Sequence, residues 1–245
     1  MDQPSKEIKV QIGTTPAHPD IFIEIKKDGP YVVHGAPRVV QKIIQSNTHG
    51  ISTSFLEGRE FAMEETSSLC RCGQSSNAPY CDGSHLRSNV DLHEVASFAP
   101  LLANSELIQG PTRSLTDNDK YCAFGRFCDA AHRVWNEVLI NSAQAEKNTE
   151  HMVHHCPGGR LLVWDNKYKK PIEDKVDPCI GLIEDPKQEC SGPLAVWGGI
   201  RIQGASGESY EIRTRQALCR CGLSSNKPFC DGTHASAKYK DGIEP

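Results

Sequence analysis

The sequence predicts an α+β chain in which two small β-rich domains flank an α+β middle segment. Three observations lead there. A sixteen-residue stretch, Cys70 to His85, recurs from Cys219 to His234 with every cysteine, the histidine and the proline in place and no gap. Short alternating apolar and polar runs bounded by Gly and Pro precede each copy, the pattern of half-buried strands. Between the copies the apolar residues fall instead at helical spacing. The expected boundaries are residues 1–95, 96–175 and 176–245.

Composition fits several modest cores better than one large one. The chain has 245 residues, 38% of them hydrophobic and 7% aromatic, with 20 glycines, above the usual size of a single domain. Its formal charge of −4 and the lack of Lys/Arg runs argue against electrostatic binding to nucleic acid or to an anionic membrane. Eleven cysteines is an odd number, and six lie in the two repeats, which reads as a reducing compartment and not a disulfide framework. The start, Met1 to Glu7, carries neither a signal-peptide core nor an arginine-rich transit pattern, and no apolar run reaches a membrane-span length. A soluble, cytoplasmic protein is the expectation.

In chain order, strands are expected over residues 8–12 (I-K-V-Q-I) and 21–25 (I-F-I-E-I), then over Gly29 to Gly35, with a return strand from Gly58 to Met63. His34 is read as a surface or packed residue. From Cys122 to about Lys147, Phe127, Ala131, Val134, Trp135, Val138 and Leu139 mark one buried helix face, and a second helical piece over Thr149 to His155 ends at Cys156-Pro157-Gly158-Gly159. Arg160 to Trp164 reads as a strand and Asp165 to Asp177 as a linker. Gly192-Pro193-Leu194-Ala195-Val196-Trp197-Gly198 has the same G-P-x-x-V-x-G shape as Gly29 to Gly35, so the repeat extends to a whole domain. Ile200 to Gln203 and Ser209 to Arg213 continue it as short β pieces around a turn at Gly204 and Gly207.

Each repeat carries three thiols and one imidazole: Cys70, Cys72, Cys81 and His85, then Cys219, Cys221, Cys230 and His234. A C-x-C pair is too short for a comfortable disulfide but can place two thiolates on one metal ion. Pro79 and Pro228 stiffen the loop, and Gly73 and Gly222 let the backbone fold close. Asp82 and Asp231 are expected as helix N-caps, with the histidines on the first turn. A helix N-terminus beside the metal suits an anionic, thiolate-ligated centre. Ligand counting does not name the metal, because Cys3His also describes structural zinc sites.

Both stretches match C-x-C-x2-[ST]-x3-P-x-C-D-G-[SAT]-H at every defined position and so resemble the CDGSH iron-sulfur domain family. The resemblance implies one 2Fe–2S cluster per copy. Cys70 and Cys72 would hold one iron and Cys81 and His85 the other, with Cys219 and Cys221, then Cys230 and His234, repeating the arrangement. It also implies β-rich units that pair. Two copies in one chain would then pair with each other in a monomer. The matching function is electron transfer or cluster transfer to a redox or cluster-acceptor protein. No nucleophile–base pair, phosphate loop or nicotinamide fingerprint points to an enzyme. The rival is a zinc-stapled interaction module without a redox role.

Cys122-Ala123-Phe124-Gly125-Arg126-Phe127-Cys128, followed by Cys156-Pro157, resembles a divergent mono-cluster ferredoxin in which Gly125 replaces one ligand. The middle segment is on that basis ferredoxin-like. Cys122, Cys128 and Cys156 suit a 3Fe–4S cluster, or a 4Fe–4S cluster completed by another ligand. The same segment reads equally as a fold that keeps buried cysteines without a cluster. His151, His154 and His155 read as a solvated helix face, and Cys179 and Cys190 as ordinary buried thiols in a loop region.

Overall fold

The structure, a computed structural model, describes residues 10, 13 and 15–244. The strand expected over residues 8–12 therefore lies outside the described residues apart from Val10, which belongs to no element. The chain is mixed but mostly sheet. The first part runs β1 (Phe22–Ile25), β2 (Tyr31–His34), β3 (Arg38–Ser46), β4 (Ser52–Phe61) and β5 (Thr66–Leu69) before the first Cys/His loop. The middle part runs β6 (Glu106–Gln109), β7 (Arg113–Asp117), α1 (Val134–Glu137), α2 (Ala143–His154), β8 (Leu161–Asp165) and β9 (Lys170–Ile172). The last runs β10 (Cys179–Asp185), β11 (Cys190–Trp197), β12 (Arg201–Gln203), β13 (Arg215–Leu218) and, after the second loop, α3 (Thr233–Ser236).

The two flanking parts exchange strands. One sheet has the order β12-β1-β2-β5 and the other β13-β11-β10-β3-β4, so each contains strands from both ends of the chain. The exchange is reciprocal. Strand β12 lies parallel to β1 with Phe22 opposite Arg201, and β3 lies parallel to β10 with Cys179 opposite Arg38. The antiparallel neighbours correspond as well: Tyr31 faces Leu69 across β2–β5, and Leu194 faces Leu218 across β11–β13. These are equivalent positions in the repeat. Because side chains alternate with period two, equal register sends equivalent residues to the same face in both halves. They meet in one core, where Ile23, Tyr31 and Leu69 pack with Ile180, Leu194 and Phe229.

Several expectations change in detail. The strand before the second loop is β13; Ser209 and Ile212 make only isolated contacts. The long helix expected from Cys122 is broken, because Phe124, Arg126, Ala131 and Arg133 all have positive φ, a left-handed conformation that a helix of L-residues does not continue through. A single helical turn, α1, follows Arg133, and a longer helix forms only at α2, where the Ser142 side chain accepts from Ala145 N, a standard N-cap. The linker expected over Asp165 to Asp177 contains β9. Strands β6 to β9 form an antiparallel sheet in that order, with α1 and α2 against it through Val134, Met152, Leu115 and Val163.

Of the histidines expected as a solvated face, His151 is exposed, while His154 and His155 are partly buried. His151 pairs with Thr53 O at 3.0 Å, His154 lies between Ile172 O and the Asp174 carboxylate, and His155 packs on Phe55 and Phe127. Cys179 and Cys190 are buried as expected, but at the starts of the central strands β10 and β11. None of the cysteines forms a disulfide. No helix among the described residues is long and apolar enough to cross a membrane.

Candidate metal centres

Each Cys/His loop leaves a strand end and folds back on it. Cys70 N donates to Pro79 O and Cys81 N to Ser68 O; Cys219 N donates to Pro228 O and Cys230 N to Ala217 O. Inside the loop, Ser75 Oγ donates to Tyr80 O at 2.6 Å and accepts from Asn77 N, and Ser224 makes the same pair of bonds to Phe229 O and Asn226 N. These bonds explain why the repeat keeps S-S-N between its ligands. Asp82 and Asp231 are not the N-caps expected of them: they stand one residue ahead of the cap positions, which Gly83 and Gly232 occupy. Each carboxylate still accepts from the amide two residues on, and its second oxygen binds Ser76 or Ser225. Burial works against ionisation of Asp231, but the bonds from Thr233 and Ser225 prevail and hold it at about 2.

The ligand atoms gather in twos. Cys70 and Cys72 Sγ are 3.6 Å apart and Cys219 and Cys221 Sγ 3.8 Å; Cys81 Sγ lies 3.5 Å from His85 Nδ1 and Cys230 Sγ 3.3 Å from His234 Nδ1. Nδ1 is thus the ring nitrogen that faces the thiol in both copies. Two thiolates on one tetrahedral ion with metal–sulfur bonds of ~2.3 Å sit about 3.8 Å apart, so each pair suits one metal ion. Among the described residues no three His, Cys, Asp or Glu converge on a single point.

Electrostatics prepare one thiolate per loop. The hydrogen bond with Cys72 holds Cys70 down to about 6 against its burial, with further help from loop amides, and the same contact with Cys221 holds Cys219 at about 7. Their partners are pushed up by that same contact and by burial, and burial also raises Cys81 and Cys230. Metal binding must displace the remaining protons. Amides of Leu223 and Gly232 point at Cys221 and Cys230 Sγ, each at 3.4 Å, and oriented N–H groups favour an anionic centre.

The loops sit back to back. A Cβ on Gly73, at φ +71°, would lie 2.5 Å from Cys221 O, and one on Gly222, at φ +77°, 2.6 Å from Cys72 O. Tyr31 also crosses between the halves, donating from its hydroxyl to Cys219 O at 2.8 Å. Sequence reasoning missed Arg71 and Arg220, the residues inside each C-R-C. Both are buried; Arg71 binds Gly29 O and Leu92 O, while Arg220 binds Ile183 O, Glu184 and Asp241. Their signal was visible, since a cation kept between two ligands in both copies has little reason to be solvent-facing.

Residues 28–86 and 191–235 match the family model described as iron-binding zinc finger, CDGSH type. The chain carries two CDGSH-type segments. Neither a curated protein nor a solved structure matches it. Both CDGSH-type segments contain all three cysteines and the histidine of their set.

The matched segments leave the middle cysteines outside. Burial pushes the Cys128 thiol up to about 12, with the charges of Cys156, Asp129 and Cys122 adding to it. Those contacts put Cys122, Cys128 and Cys156 in one neighbourhood, but the three do not converge on one metal position.

Proposed function

We propose that each CDGSH-type segment binds a 2Fe–2S cluster and that the chain exchanges single electrons or whole clusters with a redox or cluster-acceptor protein. Cys70 and Cys72 would hold one iron and Cys81 and His85 the second; Cys219 and Cys221, then Cys230 and His234, would do the same in the second segment. The observation that carries the reading is the division of each ligand set into two bidentate pairs, where a single zinc ion would draw four donors to one point. The donor chemistry agrees, since three thiolates and an imidazole fit a centre with one all-sulfur iron and one mixed iron. When bound, such a cluster supplies one-electron transfer. The protein's own part is to keep Cys70 and Cys219 readily ionised, to direct amides at the sulfurs and to fix the imidazoles through Nδ1.

Cys122, Cys128 and Cys156 belong to the same reading as a ferredoxin-like third centre of 3Fe–4S or 4Fe–4S type. One observation favours it. Arg213 is buried and makes no ion pair among the described residues, stacked on Tyr121 and Phe229 with Nη1 unpaired; burial works against its charge, and Tyr121, Glu211 and then Cys156 offset it only in part. A buried cation without a direct ion pair is costly, and an anionic thiolate centre at Cys156 would add to the compensation that Glu211 gives. Anaerobic iron and acid-labile sulfide analysis tests both parts. About four irons and four sulfides per chain are expected from the CDGSH-type segments, and any excess must vanish on Cys128→Ala. Zinc without sulfide would overturn the reading.

A further inference from the structure

The two ligand sets match in sequence but not in exposure. Cys230 and His234 are 3% and 4% exposed, whereas Cys81 and His85 are each partly open to solvent. The middle part of the chain lies against the second loop and, among the described residues, has no counterpart at the first. Asn226 Nδ2 donates to Lys120 O at 2.9 Å, the Tyr121 ring meets Phe229 edge-on at 5.1 Å, and Ala123 packs on Cys230 and Ala217. A Cβ on Gly232 would meet Cys122 O and Phe124 Cβ at 3.2 and 3.3 Å, while one on the equivalent Gly83 would meet nothing within 4 Å. The neighbouring Leu86 is 80% exposed.

We propose that Lys120 to Phe124 form a cover over the C-terminal centre and leave the N-terminal centre, at Cys81 and His85, as the port through which the chain meets its exchange partner. The exposed Leu86 beside Cys81 and His85 gives that open side an apolar contact for an approaching protein. An incoming ligand would reach a centre held at Cys81 and His85 more readily than one held at the covered Cys230 and His234. This rests on the cluster reading above for its consequence, but the cover itself is a property of the polypeptide.

The test therefore begins with the metal-free full chain. Alkylation by N-ethylmaleimide, followed at each cysteine by peptide mass spectrometry, should modify Cys81 at least about tenfold faster than Cys230, since access as well as ionisation governs thiol reactivity. Two variants lift the cover. Phe124 has φ +53°, so Phe124→Gly removes the covering ring at a backbone position glycine adopts readily; Asn226→Ala removes the bond to Lys120. Each should raise the Cys230 rate severalfold and leave Cys81 unchanged, with the circular dichroism spectrum retained. In the iron-loaded chain a ferrous chelator should bleach about half of the visible absorbance in a fast phase and half in a slow one, and the variants should shorten only the slow phase. Equal alkylation of Cys81 and Cys230, or a ratio unmoved by both variants, overturns the cover. A chain that shows the alkylation difference but holds no iron retains the cover and refutes the cluster reading instead.

Discussion

The back-to-back contact between the loops makes a quantitative prediction for Gly73→Ala. Gly73 and Gly83 both have positive φ, +71° and +82°, so an alanine at either suffers the same left-handed penalty of about 1–2 kcal/mol. The sites differ in what surrounds them. At Gly83 the added methyl meets open space, whereas at Gly73 it would lie 2.5 Å from Cys221 O and 2.8 Å from Cys221 C. Backbone atoms cannot swing aside as a flexible side chain can, and forcing a methyl into such a contact costs a further ~1–3 kcal/mol. Gly73→Ala should therefore destabilise the metal-free chain by about 2 kcal/mol more than Gly83→Ala. Urea denaturation of the two variants side by side, at constant m-value, reads the difference. Because the clash falls on a ligand of the other set, Gly73→Ala should also speed alkylation of Cys221, in the segment that was not mutated. Equal stability losses for the two variants, with Cys221 unaffected, would refute the back-to-back arrangement.

Tyr31→Phe removes the donor to Cys219 O and Pro228 O; leaving buried acceptors short should cost about 1–3 kcal/mol by chemical denaturation. Arg220→Met strips the buried Glu184 and Asp241 carboxylates of their common partner, and a loss of about 3–5 kcal/mol is expected in the same assay. Burial holds His234 at about 4, below the ~6.5 of an unfolded imidazole. The unfolded chain then takes up a proton that the folded chain refuses, so the stability of metal-free protein should fall by about 3 kcal/mol from pH ~6.5 down to pH ~4; titrating its denaturation midpoint checks this, and His234→Gln should flatten the slope. The reciprocal strand exchange satisfies within one chain the pairings each half needs, so light scattering should give a monomer near the chain mass of 27.0 kDa, and an obligate dimer would contradict it.

The site was more legible than the fold. The repeat marks out all six cysteines and both histidines of the two sets, which the structure brings together in pairs, because residue types at fixed local spacing are a local pattern, and the G-P-x-x-V-x-G stretches appear as β2 and β11. The strand exchange could not be read. Parallel pairing of β1 with β12 and of β3 with β10 joins segments far apart in sequence, which leaves no local pattern. Strand β10 escaped notice because every one of its residues is buried; a central strand covered on both faces loses the alternation that marks a half-buried one. The broken helix after Cys122 shows the opposite failure, an apolar spacing that local backbone conformation overrides at Phe124, Arg126, Ala131 and Arg133. The unequal exposure of His85 and His234 was equally hidden, since it depends on contact with Lys120 to Phe124, far from either histidine in sequence.

The central claim is that each Cys3His set holds a two-iron centre in two bidentate pairs. Native mass spectrometry of anaerobically purified chain addresses it most directly, because it weighs the metal content of intact molecules. The account gives a mass above the metal-free chain equal to about four irons and four sulfides from the CDGSH-type segments, falling by half in Cys81→Ala or in Cys230→Ala, with the CDGSH-type contribution gone when both are changed. A chain carrying one zinc per set and no sulfide would contradict it.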